Sequence, residues 1–353
     1  MKKSFKVALV SFSSLITLTC LVHFSTYHPH NDESVPFSST TTKNESSSTI
    51  KILSWNVQYM ASKNYVFFYD ILDGSGKDTM PSEKDVAETL DKVAAVINQE
   101  KPDIVLLQEM DDNARRTGYM NQREELLKRL SEHYNYAEAW YWRAAFVPHP
   151  KIMGRVGMKL VTLSKFPIRE AVRYQLPVMR DDLLTKQFNF KRAVLSVTVE
   201  TEKSSLTVMN THLDAFAQGE DTMLRQVKEV KILLDRHMEN NSPVLIGGDF
   251  NLLMPGIYPT IFKRQQAYYN PTTELSLLTE KYASVPSLGD TTGTQKEQWY
   301  THYPNDPAVS APDRTIDYIF YSPRIHVVKK QVLNRKDYHF SDHFPIVIEI
   351  EIK

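Results

Sequence analysis

Six short segments of the chain end on a polar residue suited to phosphate chemistry. They are Ser54-Trp55-Asn56, Leu107-Gln108-Glu109, Asn210-Thr211-His212, Gly247-Gly248-Asp249-Phe250-Asn251, Thr315-Ile316-Asp317-Tyr318 and Ser341-Asp342-His343. Most of them follow or interrupt an apolar, strand-like run. A strand that ends in a carboxylate, amide or imidazole carries that group to the rim of a sheet, and several rims can build one polar pocket on a rigid base. Asn56, Glu109, Asp249, Asn251, Asp317 and Asp342 offer oxygens that suit a hard cation such as Mg²⁺. His212 and His343 suit proton transfer.

Each position also has a plainer reading. Gly247 and Gly248 let the backbone turn sharply or approach a ligand. Asp249 and Asn251, two apart in extended chain, then share a face and can hold a water and a phosphoryl oxygen. An Asx-turn capping its own backbone explains the same residues equally well. Glu109 closes the apolar run from Ile104 and needs a partner, either a cation or a salt bridge to Arg115 or Arg116. Asn56 is a second candidate ligand or a simple turn residue. A lone histidine is more often structural than catalytic; two at strand ends, with carboxylates in the same set, shift that balance. An Asp bonded to an imidazole fixes its tautomer and raises its basicity, a part Asp317 can play for His343.

Other motifs lose their support. Gly74-Ser75-Gly76-Lys77-Asp78 has Ile71 where a phosphate-binding loop needs glycine and Asp78 where it needs a hydroxyl, so it reads as an exposed turn. No G-x-S-x-G or H-E-x-x-H motif occurs. The only cysteine is Cys20, which excludes an intrachain disulfide and a cysteine-based zinc site.

The elements that must position these groups are legible in part. Strand-like runs cover 51–56, 104–108, 159–164, 193–200, 205–211, 244–247, 316–321 and 346–352. Helical spacing runs over 83–100, where Pro102 blocks continuation. A second helix follows a capping pair at Asn121 and Glu124, ahead of Leu126, Leu127 and Leu130. A third covers 221–238. Strands and helices interleave, as in a layered α/β architecture. The irregular, aromatic segment 255–312 reads as a substrate-facing elaboration.

The 353 residues are 42% hydrophobic and 24% charged, ordinary for a soluble globular protein. Basic and acidic residues balance at 42 each. Residues 1–49 carry Lys2, Lys3, Lys6 and Lys43 against Asp32, Glu33 and Glu45, so the remainder lies one charge to the acidic side. A nucleic-acid binder usually has a basic excess. Lys2, Lys3 and Lys6 precede an uncharged run from Val7 to Phe24, which as a helix spans roughly 27 Å. Residues 1–24 therefore read as a signal peptide or N-terminal membrane anchor, and either places the rest outside the cytosol. Residues 25–49 read as a Ser/Thr-rich flexible tether, with a formal glycosylation sequon at Asn44-Glu45-Ser46. A single domain is expected from 50 to 353.

The order and content of the six segments resemble the endonuclease/exonuclease/phosphatase superfamily, over roughly residues 50–353. The run Gly157-Met158-Lys159-Leu160-Val161-Thr162-Leu163-Ser164-Lys165-Phe166-Pro167-Ile168 resembles that family's middle segment. The resemblance implies a four-layer α/β/β/α sandwich of two mainly antiparallel sheets with the site at one end. It implies Mg²⁺, with Mn²⁺ as a substitute, held chiefly by Glu109 with Asn56 close by and Asp342 near this or a second metal. Asp249 and Asn251 orient water and phosphate, His212 contacts the phosphoryl group or assists the leaving group, and Asp317 orients His343. Either Asp249 or His343 takes the proton from water. Arg192 adds charge to the pocket.

These expectations combine into an exported, monomeric Mg²⁺-dependent phosphodiesterase acting on a phospholipid or small phosphoester by in-line attack of water. An exported nuclease is the alternative, with a basic groove built from Arg143, Lys151, Arg155, Lys159 and Arg192. A catalytically inactive binding module is a third reading, disfavoured because no expected catalytic position is visibly replaced.

Overall fold

Strands that are apolar on both faces require a packed layer on each side. A computed structural model describes residues 2–40, 49–215 and 219–353, without the side chains of 2–10, 12, 15 and 18. In chain order the strands are β1 (Asp32–Ser34), β2 (Phe37–Ser38), β3 (Ile50–Asn56), β4 (Ile104–Asp111), β5 (Asn135–Val147), β6 (Gly154–Ser164), β7 (Ile168–Gln175), β8 (Ala193–Glu200), β9 (Ser205–His212), β10 (Val244–Asp249), β11 (Ala283–Val285), β12 (Asp317–Tyr321), β13 (Ile325–Val332) and β14 (Ile346–Ile352). They form two seven-stranded sheets. One has the order β1-β7-β8-β9-β10-β12-β11, the other β13-β14-β3-β4-β6-β5-β2.

Helix α1 (Lys2–Ser25) precedes the strands, and α2 (Glu83–Glu100), α3 (Gln122–Leu127), α4 (Thr185–Phe188) and α5 (Thr222–Glu239) lie between strands in sequence. Val86, Leu90, Val93 and Ile97 of α2 cover Leu53, Trp55, Val105 and Leu107 of the second sheet. Val227, Val230 and Leu234 of α5 cover Met209, Val244 and Ile246 of the first. Between the sheets lie Ile52, Leu106, Leu160, Leu195, Val208, Leu245 and Ile319. The result is the expected four-layer α/β/β/α sandwich. Local signals act where the sequence suggested. The Ser82 hydroxyl caps α2 by accepting from the Asp85 N–H, and α2 ends on left-handed Lys101, just before Pro102. The Asn121 side chain caps α3, which stops at Leu127 rather than continuing to Leu130.

Both sheets share one feature that positions the site. β3 and β4 are parallel, as are β9 and β10, while every other paired strand is antiparallel. The carboxyl ends of the two parallel pairs emerge at one rim, the usual place for a ligand crevice in such sheets. Beneath that rim a buried polar lock joins the sheets. The Gln108 amide donates to Asn210 Oδ1 at 2.7 Å. Asn210 Nδ2 donates to the carbonyls of Leu107 and Val161, both at 3.0 Å. The glycines of β10 serve this close packing. A Cβ on Gly247 would stand 2.9 Å from Leu106 Cδ1 of the facing sheet, and one on Gly248 would stand 1.9 Å from the Thr211 carbonyl oxygen.

Two expectations change. The tether does not hold over 32–38, where β1 pairs with β7 and β2 with β5, one on each sheet. Its Ser and Thr groups bond to the sheet edges. Ser39 Oγ accepts from the Ile168 N–H at 2.9 Å, and the Thr40 N–H donates to Asn135 Oδ1 at 2.7 Å. Val35 packs on the central core. Residues 41–48, including the sequon, lie outside the described residues. The turn at 74–78 is not fully exposed, because Gly76 is buried and a Cβ there would stand 1.8 Å from the Phe67 carbonyl oxygen. Among the described residues, no helix is long and apolar enough to cross a membrane.

Replacing Asn210 by leucine leaves the Gln108 amide only its longer 3.3 Å bond to the Leu106 carbonyl and takes a donor from the carbonyls of Leu107 and Val161. A loss of about 3 kcal/mol is expected, read as a lower urea midpoint at unchanged m-value. A midpoint within error of wild type would show that the lock contributes nothing.

Candidate active site

Strand register alone brings most of the expected groups together. Asp249, the last residue of β10, is the register partner of His212 on β9 and of Asp317 on β12. On the facing sheet Asn56 ends β3 opposite Gln108. Glu109 follows at a bulge in β4 between Leu107 and Met110, with φ of +59°. A bulge re-aims a side chain, and here it turns Glu109 toward the rim. The segment 341–343 is hung from β3. Ser341 Oγ donates to the Asn56 carbonyl at 3.0 Å, and Trp55 Nε1 donates to the His343 carbonyl at 2.9 Å.

Asn56 sits at the centre of this arrangement. Its Nδ2 donates to Glu109 Oε1 and to Asp249 Oδ2, both at 3.0 Å. Its Oδ1 accepts from the Gln58 N–H at 3.0 Å. In this orientation Asn56 holds two carboxylates with its nitrogen rather than offering an oxygen between them. Glu109 makes no ion pair with Arg115 or Arg116. Arg116 instead forms a bidentate pair with Asp111, at 2.8 Å for both bonds. The Asx-turn reading of Asp249 holds and leaves one carboxylate oxygen outside the turn. Its Oδ1 accepts from the Asn251 N–H at 2.9 Å, closing the Asx-turn, while its Oδ2 faces the site. Asn251 lies at φ +52° rather than in extended chain, and its Nδ2 donates to the Leu213 carbonyl at 3.2 Å.

Around Asp249 Oδ2 stand His212 Nε2 at 3.4 Å and His343 Nε2 at 3.5 Å. His343 Nδ1 bonds to Asp317 Oδ2 at 2.8 Å, the expected orienting pair. His212 Nδ1 lies 3.8 Å from Glu109 Oε1 and 3.4 Å from the Tyr141 hydroxyl. The two imidazoles are driven in opposite directions. Burial lowers the His212 pKa well below the usual value, and the charges of Arg192 and His343 add to the effect. Burial also disfavours the His343 cation, but Asp317, Asp249 and Asp342 outweigh it and raise its pKa well above the usual value. Burial pushes Asp249 up to about 7 against the pull of His343. Burial raises Glu109 as well, helped by the charge of Asp342. Asp342 is itself raised by burial, against His343 and Lys63.

These groups open into a cavity of about 480 Å³, lined by Glu109, His212, Asp249, Asn251, Asp342 and His343 together with Arg192. Arg192 Nε donates to buried Asp214 at 3.0 Å, and its Nη1 has no hydrogen-bond partner in the protein. The nuclease groove does not assemble as a free basic stripe. Lys159 is buried against Asp112 and Glu138, at 2.6 and 2.7 Å, whereas Lys151 and Arg155 do line the cavity.

Two cavity residues were not anticipated. Asp70 lies near Asp342, and burial together with that neighbour raises its pKa to about 8. The His302 ring packs against that of His343 at a tilt of 51°, with centroids 4.5 Å apart. The irregular, aromatic character of segment 255–312 is the one signal that marked the surroundings of His302 as substrate-facing. Among the described residues, two sets have donor atoms within 4.8 Å of one another: His302, Asp342 and His343, and Asp249, Asp317 and His343. The first set holds one carboxylate and two imidazoles, the second two carboxylates and one imidazole, and Glu109 belongs to neither. The charge of Asp342 acting on Glu109 is anionic charge that a hard cation can compensate.

The electrostatics predict opposite protonation states for the two histidines. Imidazole ¹⁵N NMR at pH 7 should show His343 as the cation and His212 neutral. The stability that His343 contributes is complete below the ordinary histidine value near 6.5 and is lost as pH rises through its raised folded-state value. A neutral His343 at pH 6.5 would contradict this assignment.

The model of the endonuclease/exonuclease/phosphatase family matches residues 53–343. A comparison with curated proteins finds no match. Several solved structures are similar. An endonuclease/exonuclease/phosphatase from Beutenbergia cavernae DSM 12333 is 20% identical, with 86% of this chain and 72% of that chain covered, at a TM-score of 0.58. The human Nocturnin catalytic domain with bound sulfate anion is 19% identical, with 90% and 98% covered, at 0.54. D. rerio TDP2 complexed with a single-strand DNA product is 16% identical, with 86% and 100% covered, at 0.51. At these identities the structures speak to the fold alone. With the family's segments matched from the first central strand to the final histidine, the chain belongs to the endonuclease/exonuclease/phosphatase family, whose members hydrolyse phosphoester bonds.

Proposed function

We propose that the chain is a Mg²⁺-dependent phosphodiesterase, with Mn²⁺ able to substitute, that acts on a phospholipid or another small phosphoester outside the cytosol. The observation that carries this reading is the convergence on Asp249. One carboxylate oxygen meets Asn56, His212 and His343 at once, while Glu109 and Asp342 stand beside it in the same cavity. Glu109 and Asp342 are the residues proposed to hold the cation, with Asn56 fixing Glu109 from behind. The cation's contribution is to neutralise charge on the phosphoryl oxygens.

The protein groups divide the remaining work. Asp249, with a pKa near 7, is poised to accept a proton from the attacking water. His343, held as a cation by Asp317, donates a hydrogen bond to a phosphoryl oxygen. His212, neutral, faces the same oxygens or the leaving group. Asn251 orients water or phosphate. Arg192 lines the cavity and adds positive charge there, held in place by its pairing with Asp214. Phe68, Tyr69, Trp142 and Phe190 line the outer cavity, which favours a substrate with an apolar portion next to its phosphate. The pairing of Lys159 and Arg192 with acids leaves the nucleic-acid reading less support.

Glu109→Gln and His343→Gln should each lower turnover by about 10²–10⁴ while leaving the far-ultraviolet spectrum near that of wild type. Glu109→Gln should also keep the unfolding midpoint, whereas His343→Gln loses the stability of the His343–Asp317 pair. Either variant turning over normally would remove its residue from the proposal. The substrate class is tested by offering the full chain sphingomyelin, phosphoinositides, plasmid DNA and RNA, with and without Mg²⁺. Lipid turnover that needs the metal is expected. Turnover confined to nucleic acid would replace the lipid reading, and no turnover together with no metal binding by calorimetry would leave a binding module.

A further inference from the structure

Loops on two sides of the cavity mouth present apolar side chains to solvent. Between Met179 and Phe190, which line the cavity, the chain exposes Leu183 at 84% and Leu184 at 61%. Asp182 builds this tip by accepting from the N–H groups of Leu184 and Thr185, at 2.9 and 3.0 Å. On the other side, Phe146 and Met153 are exposed at 45% and 51%, flanking the cavity-lining residues Lys151 and Ile152. The two sides are packed together, since Trp142 Nε1 donates to the Phe188 carbonyl at 2.8 Å. Single exposed apolar residues are ordinary, but a set around one pocket marks an interaction surface.

The N-terminal segment ends at this same place. Thr26, one residue past α1, bridges Ala144 of β5, two residues from Phe146. Phe24 and Leu21 of α1 are exposed at 84% and 63%. The chain then runs along the sheets as β1 and β2, so α1 is joined to the rim rather than to a loose tether. Arg143 and Lys151 stand exposed among the apolar groups.

We propose that the cavity mouth is a lipid-docking face, and that its occupant is the surface of a bilayer carrying anionic lipids. This deepens the lipid reading above and rests on it for its purpose. Apolar tips with basic neighbours match the acyl–headgroup boundary of such a bilayer, and α1 brings an apolar helix to the same edge. The cavity then opens toward the membrane, and a phosphoester in the headgroup layer reaches Asp249 without crossing water.

The test uses the full chain with Cys20→Ser, reconstituted in vesicles of phosphatidylcholine and phosphatidylglycerol. A fluorophore is placed at Leu184→Cys or, as a control, at Lys329→Cys on β13, near the edge of its sheet opposite β5. Nitroxide-bearing lipid should quench the label at 184 at least two-fold more than the label at 329. Equal quenching, or none at either site, overturns the proposal. An unquenched label at 184 that becomes shielded as the protein dimerises in sedimentation overturns it in favour of a second copy. The double variant Leu183→Asp, Leu184→Asp should keep its rate on a soluble nitrophenyl phosphodiester and lose about ten-fold on the same ester held in vesicles. Equal loss on both esters contradicts the assignment. A chain that hydrolyses neither ester yet shows the quenching pattern loses the proposed function and keeps the docking face.

Discussion

One amide holds the site together. Asn56 stands at the end of the second sheet's central strand and donates to a carboxylate of each sheet, Glu109 on its own and Asp249 on the other. Two buried carboxylates this close repel, and burial alone pushes each toward its neutral form. The two N–H bonds of Asn56 offset that tendency, and the bond from the Gln58 N–H keeps the amide from turning over. Below it the Gln108–Asn210 lock ties the same pair of sheets. The distance between the sheets at the rim, and hence the size of the cavity, follows from these few bonds and from the lack of a side chain at Gly247.

The electrostatics grow from that frame. Three carboxylates outweigh burial at His343, whereas at His212 burial and the charges of Arg192 and His343 prevail, although Asp249 and Glu109 stand 3.4 and 3.8 Å away. Two imidazoles at matching strand ends therefore differ in charge at neutral pH. One is suited to stabilise an anion as a cation, and the other to give or take a single hydrogen bond as a neutral ring. Burial raises the carboxylates at 109, 249 and 342 as well, and the nearby charges of His343, Lys63 and Arg116 offset it only in part. Their arrangement suits a cation more than an ion pair with the neighbouring arginines, because Arg116 is already committed to Asp111.

Much of this was legible in the sequence because strand ends are local. An apolar run followed by Asp or His places the group at a rim, and six such runs with interleaved helices point to layered sheets. What was missed depended on contacts between distant residues. β5 is rich in Ala and interrupted by Glu138 and Arg143, so no apolar alternation marked it. β13 is an edge strand whose lysines face solvent. β7 carries Arg173, fully buried because Trp140, Gln175 and Lys191 supply oxygens for it. The segment 25–40 has the composition of a linker, yet sheet edges give its backbone and hydroxyls partners that composition does not reveal. Asp70 and His302 reach the cavity from loops whose path only the tertiary fold defines, and the bulge that aims Glu109 leaves no mark beyond the residue itself.

The central claim is that carboxylates delivered by separate strand ends form one cation site. Crystals soaked in Mn²⁺ and measured at the manganese absorption edge test it most directly. The account predicts one anomalous peak within coordination distance of the Glu109 carboxylate, adjoining Asp342, and its disappearance in Glu109→Gln. A peak elsewhere in the molecule, or one that survives removal of the Glu109 carboxylate, would contradict it.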